Sequence, residues 1–376
     1  MFYLSFLRRT TSKISVGAGE KSFEKGLTFG VVYGIIITEL INKNLLNRKE
    51  KETMKKKYFL TLDTETATLP FANEIAKTAK EKQNIAIAKP LVYDIGWIVS
   101  DRAGNIIKKE NFLVQETFFV PSVFNTAYYK DKRPIYMEML KNGEISAKCW
   151  DEIVEILLAD LRQCDLATAY NAAFDFKKAI PFTERYIRNL YSDRYNEWEE
   201  RQRELCKAIA KGGNSGKNET FLEPTFILRD EEFPIADLWY IACERLVNNQ
   251  KYKNFCLDNN FITESGIYFK TSAETTFAYL TKDKDFIESH TDLDDSRIEA
   301  EILTKALKKG KVEPTMEAFP FRELGTTYEY VRVKTKYAET VAEKIKIHLD
   351  SFDKNSAYTA RMENIYYNLM AIIEEM

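Results

Sequence analysis

Three extended runs follow one another in this chain before any long helical pattern begins, and that order narrows the fold more than any other feature. Tyr58 to Glu65 alternates in character, and Leu91 to Ser100 and Ile106 to Gln115 bracket the turn Asp101-Arg-Ala-Gly-Asn105. Together they predict an antiparallel meander. Trp150, Ile153, Val154, Leu157, Leu158 and Leu161 then recur at helical spacing. Asp165 to Tyr170 is a short apolar strand, and Pro234 to Trp239 is another that leads into the apolar stretch Ile241 to Val247. A meander continued by alternating helix and strand predicts an α/β fold, with a mixed five-stranded sheet flanked by helices.

With 376 residues, 45% of them apolar and 13% aromatic, the chain can bury a large core without staples. Its formal charge of -2, from 55 basic and 57 acidic side chains, argues against a protein that holds nucleic acid by bulk positive charge alone and leaves room for a local basic groove. The five cysteines form no Cys-x-x-Cys pair, and with two histidines they make a zinc site hard to assemble. They read as reduced thiols of a cytoplasmic protein.

Residues 1–53 differ from the rest: a basic start (Arg8, Arg9, Lys13), an apolar stretch from Gly26 to Ile41 broken by Glu39, and a charged run from Arg48 to Thr53. Three readings stand for them: a translated leader upstream of a true start at Met54, a transit peptide, or a weak membrane anchor. Stable membrane association is not expected. The domain proper is expected over 54–310. Two spans look inserted, the loop-rich Gln115 to Glu144 and Ala208 to Arg229, whose Gly212-Gly-Asn-Ser-Gly216 reads as a flexible linker. Residues 311–376 predict an accessory helical region.

The chemistry concentrates in three places. On the first strand Phe59, Thr61, Asp63 and Glu65 share one face. Two carboxylates two residues apart at a strand's C-terminal end suit a cation, although a solvent-facing strand end explains an isolated pair as well. Asp175, in Tyr170-Asn-Ala-Ala-Phe-Asp175, opens a helix after a strand and alone is explained as a cap. In His290-Thr-Asp-Leu-Asp-Asp-Ser296, Asp295 lies on the apolar stripe Ile298, Ile302, Ala306, where a carboxylate is costly unless paired or metal-bound. Asp292 and Asp294 read as first-turn charges.

The conjunction of Asp63 with Glu65, Asn171-x-x-Phe174-Asp175, and His290 followed five residues later by Asp295 resembles the exonuclease motifs of the DEDD family, histidine subclass (DEDDh). The resemblance covers about Lys57 to Lys309 and implies a ribonuclease H-like fold. It further implies two magnesium or manganese ions on Asp63, Glu65, Asp175 and Asp295, with Asp63 bridging them, and His290 as general base. Thr66, Asn171 and Phe174 would line the substrate pocket. The chain departs from the family pattern at Ala67, Tyr170 and Asp292, none of them a metal ligand, and its long insertions are similar to phage-type members.

The activity expected is release of nucleoside monophosphates from single-stranded DNA 3′ ends by phosphodiester hydrolysis. The alternatives are an RNA-trimming enzyme like ribonuclease T or oligoribonuclease, and a non-catalytic subunit associated with a polymerase. Phe118, Phe119, Tyr128 and Tyr129 beside Lys130, Lys132 and Arg133 are stacking candidates, although folding of the inserted loop is the reading that these residue types favour. Lys177, Lys178, Lys305, Lys308, Lys309 and Lys311 are candidates to track phosphates. The C-terminal helices are expected to dock a polymerase or a second copy.

Overall fold

The computed structural model describes residues 57–212, 223–289, 291–350 and 357–375. The readings made of residues 1–53, and of His290, lie outside them.

Seven strands form one mixed sheet: β1 (Tyr58–Ala67), β2 (Leu91–Asp101), β3 (Ile106–Val114), β4 (Ser146–Lys148), β5 (Leu166–Ala169), β6 (Thr225–Leu228) and β7 (Glu231–Asp237). Their order is β4-β3-β2-β1-β5-β7-β6. β2 runs antiparallel to β1 and β3, whereas β5 is parallel to β1 and β7 parallel to β5. The expected meander and the two later strands are all present, so the α/β architecture holds. The expected count of five is corrected to seven. β4 pairs in parallel with β3 and β6 in antiparallel with β7; β4 follows directly on the first inserted span and β6 lies at the end of the second. Strands of three and four residues carry too little alternation to be read from sequence.

The β2–β3 turn is closed by the Asp101 carboxylate, which accepts from the amides of Ala103 and Asn105. Gly104 is required in it on two counts. Its φ is +90°, and a Cβ there would come within 2.7 Å of the Thr304 hydroxyl oxygen.

Alternation along β1 divides the hydrophobic core between the faces of the sheet. Leu60 and Leu62 enter a core with helices α1 (Trp150–Leu161) and α2 (Ile180–Leu190), to which Trp150, Ile153, Val154, Leu157, Leu158 and Leu161 contribute as the spacing predicted. Phe59 points the other way, into a second core with Ile298, Ile302, Leu303 and Ala306 of α3 (Asp292–Leu307). α3 therefore covers the face that carries Asp63 by strand parity. The Ser296 hydroxyl pins it there by donating to the Gly96 carbonyl at 2.9 Å.

Beneath the first core, Asp160 on α1 is buried and accepts from the Trp97 indole at 2.9 Å and from Lys108 at 2.8 Å. Asp160→Ala strands a buried indole N–H and is expected to lower stability by about 2–3 kcal/mol in urea unfolding.

The span Gln115 to Glu144 is not loop-rich. It forms the short helices Gln115–Phe118 and Pro121–Phe124 and the longer Arg133–Asn142, and buries Phe118, Phe124 and Tyr136 around Tyr93. Aromatic burial, invisible to a periodicity count, organises it. Of the second insertion, residues 213–222, with most of the glycine-rich run, lie outside the described residues.

At the C-terminal end, residues 312–324 join the main body. Val312 and Leu324 enter the second core, and the Asp237 amide donates to the Thr315 carbonyl at 2.8 Å. The helices α4 (Thr327–Asp350) and α5 (Ala357–Glu375) follow and pack on each other. No described helix is long and apolar enough to cross a membrane.

Candidate active site

Strands β1, β5 and β7 run in the same direction, so their C-terminal ends gather at one edge of the sheet. Asp63 and Glu65 lie in the C-terminal half of β1, Asp175 follows β5 after the helical turn Ala172–Phe174, and Asp237 ends β7. Crevices at such edges are where open α/β sheets bind ligands. Asp237 has a structural explanation: it caps the helix Leu238–Ala242, accepting from the Trp239 amide at 2.9 Å and from the Asn171 amide at 3.2 Å.

Asp175 is buried, and its best partner is the Thr64 hydroxyl, which donates at 2.5 Å. Asp295 is 7% exposed on the inward stripe of α3, where the sequence placed it. Its i+4 neighbour Glu299 is 3% exposed, and that carboxylate accepts from the Tyr170 amide at 3.1 Å. Asp94 on β2 stands directly across from Glu65 and is fully buried.

The electrostatics tie these groups together. Burial lifts the Asp63 carboxyl to about 6, against the pull of the Thr64 amide. Burial and then the charges of Asp63, Asp94 and Asp295 push Glu65 up to about 10. Burial, Asp63 and Glu288 push Asp295 up to about 8. Asp175 is raised well above the usual carboxylate range by burial and by Asp63, and Glu299 by burial, Asp63 and Asp175. Glu288 rises to about 7 through burial, Glu274 and Asp63.

Asp63 is thus the charge common to the whole cluster. The opposing cation is Lys132, from the first insertion, whose charge favours the ionised forms of Glu65 and Asp295. Its ammonium donates to the Ser289 carbonyl at 2.6 Å and lies 4.4 Å from the Tyr129 ring centre.

The four sequence-predicted ligands Asp63, Glu65, Asp175 and Asp295 therefore share one electrostatic site, although they lie up to 232 residues apart in the chain (295 − 63). Their donors are hard oxygens, and buried like charges of this kind are relieved by a divalent cation. Among the described residues no three His, Cys, Asp or Glu side chains stand close enough to hold a metal ion as they are, so the acids meet through their fields and not as a closed ligand shell. No protein-family model and no curated protein matches the chain. The reading of the site rests on its own residues.

Of the pocket residues expected from sequence, Asn171 is exposed with φ of +73°, a left-handed conformation that costs a non-glycine residue energy, and Thr66 and Phe174 are half-buried. Phe118 belongs to the core and is no stacking surface, whereas Tyr128 is 86% exposed. Arg133 lies over the Phe118 and Phe124 rings and donates to the Phe118 carbonyl, a folding role. Lys177 donates to the Thr225 carbonyl and secures β6. Lys305, Lys308, Lys309 and Lys311 are exposed. Glu299, Asp94 and Glu288 were missed. Glu299 lies one helical turn after Asp295, beside the apolar stripe, and Asp94 is the lone acid in the run Leu91-Val-Tyr-Asp-Ile95.

Proposed function

We propose that the chain is a metal-dependent 3′→5′ exonuclease of DEDDh type acting on single-stranded DNA ends. The observation that carries this reading is the cluster itself: Asp63, Glu65, Asp175 and Asp295, contributed by a strand, the start of the helix after β5 and a distant helix, each of the last three acids feeling the charge of Asp63. The strand order β3-β2-β1-β5-β7, with β2 alone reversed among the five, supports a ribonuclease H-like assignment.

Divalent cations held by Asp63, Glu65, Asp175 and Asp295 would offset the phosphate charge and make a bound water acidic. The protein's own part is to hold these carboxylates in place. Thr64 fixes Asp175, and Ser296 fixes the start of α3 and with it Asp295. Glu299 holds the Tyr170 amide, so that the loop leading to Asp175 keeps its shape. His290, five residues before Asp295 in the sequence, takes the proton from the attacking water in this reading, a task for which imidazole is the side chain best suited near neutral pH. Lys132 brings positive charge to the same edge and would draw the phosphate toward it.

The test is a magnesium-dependent time course on matched 5′-labelled single-stranded DNA and RNA. Products that shorten stepwise from the 3′ end, on DNA in preference to RNA, are expected. Preference for RNA would move the assignment to a 3′-trimming ribonuclease, and no cleavage of either would leave the binding-subunit reading.

A further inference from the structure

A cavity of about 650 Å³, of the size that takes organic ligands, opens beside the acid cluster, and of the exonuclease-motif residues only Asn171 reaches its walls. Its floor is Tyr170 and Asn171, the residues that carry β5 toward Asp175. Its aromatic wall is Trp239, from the helix after β7, with Tyr268 and Phe321, contributed by segments downstream of the second motif. Lys270 stands exposed on the rim.

These rings are fixed before any ligand arrives. The Trp239 indole donates to the Thr271 hydroxyl at 2.8 Å, and the Phe321 ring lies within 22° of parallel to it at 5.9 Å. Tyr268 meets Phe321 edge-on at 4.9 Å. The Tyr170 hydroxyl donates to the Thr271 carbonyl at 2.6 Å and lies 2.9 Å from the Thr276 hydroxyl. Asn171 keeps its left-handed backbone at the junction between cavity and acids, with its amide held by Asp237.

We infer that this cavity is a base-binding subsite, which takes a nucleobase of the strand whose 3′ end lies on the acids. The inference rests on the nucleic-acid reading of that site. Flat, locked aromatic surfaces next to a phosphate-handling edge suit bases, because every base offers a π face whatever its sequence. The Asn171 side-chain amide, distinct from the backbone N–H held by Asp237, is available to a base edge, and Lys270 offers a charge for the backbone. A strand leaving the acids over Asn171 meets the aromatic wall directly.

The chain's own tryptophans report occupancy. Trp97 and Trp150 are fully buried and Trp198 is 8% exposed, whereas Trp239 lines the cavity and is half-buried. Titration of the full chain in EDTA with ten-residue oligothymidylate and oligouridylate should quench fluorescence saturably. Trp239→Phe should remove that quench while keeping a ring in place. Phe321→Ala should weaken binding roughly tenfold, and Phe321→Leu, which keeps volume without a π face, should weaken it similarly. The DNA and RNA arms assign the sugar preference. Wild-type protein that cleaves but shows no quench, or Phe321 variants that bind as wild type, overturns the inference. Quenching that depends on Trp239 in a protein that cleaves neither polymer supports the subsite while removing the nuclease reading.

Discussion

Asp63→Asn should reduce turnover by roughly a thousandfold or more while leaving the chain folded, the magnitude expected when a preorganised charge-handling group is removed from a hydrolytic site. Asp63 is singled out because its negative charge is felt by Glu65, Asp175, Asp295, Glu288 and Glu299, which no other group in the cluster matches. In the proposed reading neutralising it removes the shared ligand, and on electrostatic grounds alone it relaxes the others, so their carboxyls should ionise at lower pH. Loss of activity should therefore accompany weaker manganese binding by calorimetry, with circular dichroism unchanged. A variant within tenfold of wild type in kcat would sink the assignment of Asp63 as the central ligand. Equal losses from an exposed acid such as Glu313 would show that the assay reads contamination or nonspecific charge.

The parts of this site that were legible in sequence are those where a charge contradicts a pattern. Asp295 interrupts an apolar helical stripe, and Asp63 and Glu65 end an alternating strand, so each announces itself against its neighbours. Glu299 obeys the same rule and lies one helical turn from Asp295, yet it flanks Ile298 and passes for a surface residue unless the stripe is drawn one residue wider. Asp94 became meaningful only through register, because nothing local says that it faces Glu65 across two strands.

The insertions were opaque for a different reason. Tyr93, Phe118, Phe124 and Tyr136 pack edge to face from two distant segments, a relation without period. Lys132, which looked like one of several loop cations, gained its place from the fold of that insertion. The cavity wall was illegible for the same reason, since Phe321 lies 82 residues from Trp239 (321 − 239).

In EDTA the folded chain should lose stability as pH rises from about 5 to 8, the opposite of what salt-bridged carboxylates produce. Free carboxyls in an unfolded chain titrate near 4. In the folded chain Asp63 titrates at about 6 and Asp295 at about 8, so between these limits the folded state keeps protons that the unfolded state has released. The stability these groups contribute is complete below about pH 4 and is lost as pH rises through about 8. Each unit of difference is worth at most about 1.4 kcal/mol, and relaxation and hydration at an open edge reduce the sum to roughly 2–4 kcal/mol. That corresponds to a fall in Tm of roughly 3–6 °C for a chain of this length. Asp295→Asn, which keeps the shape and cannot ionise, should raise the metal-free Tm at pH 8 and flatten its dependence on pH. Magnesium at about a hundred times its Kd should restore about 2.7 kcal/mol to the wild type and much less to the variant. A metal-free Tm that is flat or rising across this range, with Asp295→Asn below wild type, would mean that the carboxylates are held by partners within the fold and do not await a cation.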